Sequence, residues 1–115
     1  MSEFCMGEYY DREGKPIDVN GWAYLHGIDD YRRVAEDTIG SYWVSTVWLG
    51  IDHSWGEGPP LIFETMVFPV ADGEPHLMDI DCERYTTENE AIEGHARFVT
   101  LLRATVAESL NEEKS

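Results

Sequence analysis

Four side chains in this chain are of types that do acid–base or metal chemistry and occupy unusual settings: Asp52, His53, Glu64 and His95. Asp52 and His53 are adjacent in the stretch WLGIDHSWGEGPPLIFETMVF, residues 48–68. An Asp beside a His invites a general-base reading, because imidazole titrates near neutral pH. Neighbours at a strand end point to opposite sides, however. The plainer reading has Asp52 making a local turn hydrogen bond and His53 packing under Pro59 and Pro60. Glu64 lies among Ile62, Met66 and Phe68, where an unpaired buried carboxylate is costly. It is therefore solvated or paired, and Arg84 on a neighbouring candidate strand is the natural partner. His95 follows Gly94 on the apolar face of the last helix. A glycine inside a helix costs about 1 kcal/mol against Ala, which points to a close approach of helix and sheet. His95 is then expected to be half buried and bonded to a backbone carbonyl or to Glu64.

If His53, Glu64 and His95 met, their types would suit zinc or another transition metal. No H-x-x-x-H, H-E-x-x-H or C-x-x-C spacing supports such a site. Nor is there a Gly-rich phosphate loop, a nucleophile elbow or a basic-aromatic patch. No metal, cofactor or catalytic set is expected, and the chain leans away from being an enzyme.

The elements that must position these residues follow from pattern. EYYDREGKPIDV reads as a short strand, a turn at Glu13-Gly14 and a return. Asn20 is placed to cap a short helix over GWAYLHGI, which Gly27 closes. YRRVAEDTI and YWVSTVWLGI flank Gly40-Ser41 as a hairpin. In the second run Trp43, Ser45, Val47 and Leu49 share one face, and Tyr42, Val44, Thr46 and Trp48 the other. Neither face is polar, which predicts a central strand covered at least partly on both sides. LIFETMVFPV is a further strand, ADGEPH a turn, and LMDIDCERYT an edge or half-exposed strand alternating Met78, Ile80 and Cys82 with Asp79, Asp81 and Glu83. Thr87 and Glu90 form a capping box for the last helix. Its apolar stripe is Ala91, Ile92, His95, Phe98, Val99, Leu102 and Val106. The helix is expected to run to about Leu110 and to fray over 111–115. The chain is thus a single α+β domain over 1–115: an antiparallel sheet of about four strands, with a short N-terminal helix and a long C-terminal helix packed on one face.

Charge is the strongest bulk signal. The 115 residues carry 23 acids and 8 bases, a formal net charge of −15. The surplus is spread over both halves, and the densest stretch runs from Asp72 to Glu93. Such a chain repels nucleic acid and anionic membranes and suits a basic protein partner. An ordinary solvated acidic face is the simpler alternative. With 43% apolar residues and four Trp, the chain is long enough to fold around a real core. The two cysteines, Cys5 and Cys82, are too few for a disulfide framework. MSEFCMGEYY is acidic and lacks an apolar run, so neither a signal peptide nor a membrane span is expected. These features point to the cytoplasm. The aromatic excess leaves material for an interaction patch, with Trp55 at the loop tip as the first candidate. Asp72, Glu74, Asp79, Asp81 and Glu83 are the candidate acidic contacts.

The segments YYDREGKPI, VSTVWLGIDHSWGEGPPLIFETMVF and RYTTENEAIEGHARFV resemble a family of small proteins encoded by tailed bacteriophages and prophages, many infecting actinobacteria. The resemblance runs from about Tyr9 to Val99. The family carries no assigned activity, so it implies an origin and transfers no catalytic residues. This chain departs from the family pattern in its acidic ADGEPHLMDIDCE insert and its helical tail. The resemblance implies a non-structural phage protein acting inside an infected bacterium.

Two functions of different class follow. The first is a protein that binds, and inhibits or modulates, a host bacterial protein with a basic surface, such as a nucleic-acid-binding or anti-phage defence factor, by acidic-surface mimicry. The second is a small ligand- or metal-binding domain or enzyme with Asp52, His53, Glu64 and His95 converging under the loop. A homodimer formed through a β edge is a third, blander possibility.

Overall fold

A computed structural model of the chain describes residues 9–52, 58–71, 74–75 and 81–114, with the side chains of 71, 74–75 and 109–114 excepted. Helix α1 spans Val19–His26, and α2 is a single turn over Asp29–Arg32. Strands β1 (Arg33–Ile39), β2 (Tyr42–Trp48) and β3 (Phe63–Ala71) follow. The two-residue β4 (Glu74–Pro75) precedes β5 (Asp81–Tyr85), and α3 spans Glu88–Lys114. All strand pairs are antiparallel, and the sheet runs β1-β2-β3 with β5 alongside β3. β4 extends the far end of β3 through Val70–Pro75 and Ala71–Glu74 pairs. This is the expected α+β arrangement.

The Gly40-Ser41 turn joins β1 to β2, and Gly40 takes the positive φ (57°) that a tight hairpin needs. On β2, Val44, Thr46 and Trp48 are fully buried while Trp43, Ser45 and Val47 are half-buried. The strand is interior, as its two non-polar faces imply. The buried set, with Phe63, Thr65 and Val67 of β3, faces α3. Ala91 packs with Trp48, Phe63 and Tyr85, and Val99 packs with Ile39, Val44 and Val67. Trp22 and Leu25 of α1 and Tyr31 of α2 lie against the first of these clusters, so the helices share one face of the sheet.

Several boundaries differ from the sequence expectation, for local reasons. Asp18, not Asn20, caps α1: its carboxylate accepts from the Gly21 amide at 2.7 Å, the third residue of the helix. Gly27 closes α1 as expected, in a right-handed conformation (φ −81°), and the chain turns directly into α2. Tyr31 and Arg32 belong to that turn, whose first residues Asp29 and Asp30 suit the positive end of a helix, so β1 begins only at Arg33. Finally, α3 continues to Lys114, about 40 Å of helix. The residues beyond Leu110 are Asn, Glu, Glu and Lys, with no Gly or Pro to stop it.

The capping box at the start of α3 is formed. Glu90 Oε1 accepts from the Thr86 and Thr87 amides, and Thr87 Oγ1 accepts from the Glu90 amide. The inward stripe is Ala91, His95, Phe98, Val99, Leu102 and Val106, but Ile92 is 48% exposed, one residue past the stripe's edge. Gly94 is buried against Tyr85: a Cβ there would collide with the Tyr85 hydroxyl and ring. The close approach inferred from this glycine is therefore real.

Gly94→Ala is expected to destabilise the fold by about 1–3 kcal/mol through overpacking, although Ala favours helix by about 1 kcal/mol. Urea unfolding of the two proteins checks this; a variant as stable as the parent would mean the contact can relax.

Candidate functional site

The three described candidates, Asp52, Glu64 and His95, each have different hydrogen-bond partners. Asp52 accepts from the Leu61 amide at 3.1 Å, closing the loop between β2 and β3. His53 and Trp55 lie outside the described residues, as do Asp72 and Asp79. Glu74 falls in β4, where only the backbone is described. Glu64 and His95 occupy opposite faces of the sheet. Glu64 precedes Thr65, which faces α3, so its side chain points the other way. There Glu64 is buried, and one of its oxygens accepts from Arg84 Nε at 3.0 Å and from Cys82 Sγ at 3.3 Å. The Arg84 pairing is the one that strand adjacency suggested, since Glu64 and Arg84 are direct cross-strand partners.

His95 is bonded neither to a backbone carbonyl nor to Glu64. Its Nδ1 lies 2.7 Å from Thr46 Oγ1 and its Nε2 lies 2.8 Å from Asp37 Oδ2. Thr46 Oγ1 in turn lies 2.5 Å from Thr65 Oγ1, and the Tyr85 hydroxyl donates to Thr65 Oγ1 at 3.1 Å. These five side chains form one polar row beneath α3, running from β1 through β2 and β3 to β5. Thr46 and Thr65 are 0% exposed and His95 5%, whereas the Asp37 side chain is 45% exposed. The row therefore has a dry centre and a wet end at β1.

Sequence reading missed Asp37, Thr46, Thr65 and Tyr85 as a set. A signal was present: Thr46 shares its face with Val44 and Trp48, and Thr65 with Phe63 and Val67. A threonine at the same height on two adjacent apolar faces needs a hydroxyl partner, and His95 is the polar residue on the opposing helix stripe.

The Asp37–His95–Thr46 line has the connectivity of a carboxylate–imidazole–hydroxyl triad. Thr46 is fully buried and its hydroxyl is shared with Thr65, so no substrate carbonyl reaches it. Among the described residues no group of three or more His, Cys, Asp or Glu is placed to hold a metal ion. Burial pushes the Tyr85 hydroxyl up to about 12, with Glu83 adding to the rise. At the other cluster, His26 packs in a tilted arrangement on Trp22 (4.7 Å between centroids) and lies 6.0 Å from Trp48. Burial, then the nearby Arg32 charge, hold its imidazole below the ordinary value of 6.5.

The acidic candidates that are described, Asp81 and Glu83, are exposed on β5. They border a groove of about 320 Å³ shared with Arg97, Phe98 and Leu101 of α3. Glu83 reaches Arg97 at 3.4 Å. A second groove of about 360 Å³ lies beside it, lined by Tyr85, Arg84, Arg97, Glu90 and Glu93 among others. No helix of the described chain is long and apolar enough to cross a membrane. No protein-family model, curated protein or solved structure matches this chain.

Two pH dependences follow. Tyr85 keeps its proton more tightly folded than unfolded, so stability is intact below about pH 10 and falls as pH rises towards about 12. Tyr85→Phe is expected to flatten that decline, read as unfolding midpoint against pH; an unchanged decline would place its origin elsewhere. His26 has the opposite sign: its folded form resists protonation, so stability present above 6.5 is lost on acidification. His26→Gln is expected to lessen the loss between neutral pH and about pH 5, followed by denaturant titration at each pH.

Proposed function

We propose that the protein is a small acidic binding module that docks on a basic bacterial protein and inhibits or modulates it. The resemblance of its sequence to phage and prophage proteins supports an action in the cytoplasm of an infected host. A nucleic-acid-binding or anti-phage defence factor is the partner class, because its basic groove accepts carboxylates in place of phosphates.

The observation that carries this reading is how the positive charge is used. Among the described residues Arg12, Lys15, Arg32, Arg33, Arg84 and Arg97 already pair with carboxylates of the same chain. That is six of the eight basic side chains, set against 23 acids. The internal cations are committed, so the surplus negative charge is open to compensation from outside. Asp81 and Glu83 on β5 and Glu90 and Glu93 on α3 bring exposed carboxylates together around the two grooves. The ligand-site alternative has weaker support, since Glu64 and His95 share no cavity across the sheet.

The test is retention of bacterial proteins from lysate on the immobilised chain at low and high salt, with identification by mass spectrometry. A basic protein is expected to be held at low salt and released near 1 M, where the Debye length shrinks to about 3 Å. Asp81→Lys combined with Glu93→Lys is expected to weaken that complex about tenfold, equivalent to about 1.4 kcal/mol. Retention indifferent to salt, or nothing retained at either salt, would refute the charge-driven reading.

A further inference from the structure

The polar row beneath α3 admits only certain proton arrangements, and counting donors and acceptors identifies them. Asp37 accepts from His95 Nε2–H, so the neutral ring presents Nδ1 as an acceptor. Thr46 must then donate to Nδ1, which leaves its oxygen to accept from Thr65. Thr65 has spent its proton, so its oxygen accepts from Tyr85. In this state every hydroxyl in the row points towards the imidazole. A second carboxylate, Glu83, lies two residues from Tyr85 on the same face of β5, directly across from Thr65.

If Nδ1 takes up a proton from solvent, it becomes a donor to Thr46. Thr46 then donates to Thr65, Thr65 to Tyr85, and Tyr85 to the Glu83 carboxylate. No covalent bond to carbon changes; one proton is gained at Nδ1 and three hydroxyls rotate. All members are satisfied in both states, which keeps each state compatible with burial.

We propose that Asp37, His95, Thr46, Thr65 and Tyr85 form a two-state hydrogen-bond relay in which the protonation state of His95 decides whether Tyr85 donates inward to Thr65 or outward to Glu83. The charged and titratable groups around the row are Asp37 from β1, Tyr85 and Glu83 from β5, and Arg97 from α3, which pairs with Glu83. Thr46 from β2 and Thr65 from β3 carry no charge, and Glu64 lies on the far face. The outward end opens beside Arg97, in the groove lined by Arg84, Tyr85, Glu90 and Glu93. Protonation beside β1 is thereby reported as a changed donor at a surface about three strands away, roughly 14 Å at the usual strand spacing.

The experiment is NMR on the full chain labelled with ¹⁵N-histidine and ¹³C-tyrosine. With the ring neutral, His95 is expected as the Nε2–H tautomer, with the Thr46 hydroxyl proton coupled to Nδ1. As pH falls, the Tyr85 ¹³Cζ signal is expected to shift with the same midpoint as the His95 nitrogens. Thr65→Ser keeps the hydroxyl and is expected to preserve the shared midpoint. Thr65→Val breaks the row, so His95 still titrates while Tyr85 no longer follows it. A neutral Nδ1–H tautomer, or a Tyr85 signal in the parent or in Thr65→Ser that ignores His95, would overturn the relay. The parent and the serine variant suffice if the valine variant does not fold.

Discussion

The constraint on which this structure depends is the satisfaction of a polar row in a dry layer. Two threonines, a tyrosine hydroxyl and an imidazole are buried between α3 and the sheet. Each would cost on the order of 1–3 kcal/mol if left without a partner. They are satisfied only together, and only when α3 sets His95 above Thr46 with Asp37 within reach. Sliding the helix by one turn, about 5 Å, would leave Asp37 and Thr46 unmatched while the apolar contacts merely changed partners. Leucines and valines tolerate several registers; this row tolerates one. The packing of Gly94 on Tyr85 acts to the same end, because the helix backbone meets the ring where any side chain would intrude.

A second device fastens the N-terminal segment over the open end of the core. The indole N–H of Trp48 donates to the Tyr10 carbonyl at 3.0 Å, and that of Trp22 to the Leu49 carbonyl at 2.9 Å. Two tryptophans thus bury their rings and also tie down backbone carbonyls that the sheet does not use. Gly50 makes this possible: with φ of 77° it leaves room where a Cβ would strike both indoles. Arg12 completes the fastening. Its guanidinium grips the Glu88 carboxylate at 2.7 and 3.0 Å, donates to the Tyr31 carbonyl and lies over the Tyr31 ring. The turn before α1, the helical turn before β1 and the first turn of α3 meet at that one side chain. A partly buried, forked pair of this kind is worth more than the exposed Lys15–Glu13 contact at 3.8 Å.

The two faces of the sheet have divided roles. The face under the helices holds the apolar clusters and the polar row. The other carries the Trp43–Phe68 stack, with centroids 5.3 Å apart, and the Glu64–Arg84–Cys82 contact. Charge is divided likewise. Arg12, Arg84 and Arg97 are drawn into contacts between elements, while carboxylates on β5 and the outer side of α3 remain at the surface. A chain so acidic accepts some self-repulsion in the folded state. The proposed docking on a basic partner would relieve it.

Local pattern in the sequence determined the class of fold, because it depends on period and punctuation: the Gly40-Ser41 hairpin, the interior character of β2, the Thr87–Glu90 box and the stripe of α3 are all set by near neighbours. It also marked Glu64 with Arg84, since cross-strand pairing is a short-range consequence of the strand order. It misplaced the cap at Asn20, whereas Asp18, an equally good acceptor two residues earlier, caps the helix, and it gave Ile92 to the core when the stripe's edge excludes it. Only the tertiary structure decided what His95 touches. Asp37 and Thr46 are 58 and 49 residues away along the chain, and their approach depends on which face of a four-stranded meander the last helix covers. That choice also separates Glu64 from His95, because successive residues of a strand look to opposite sides whatever the composition of the chain around them.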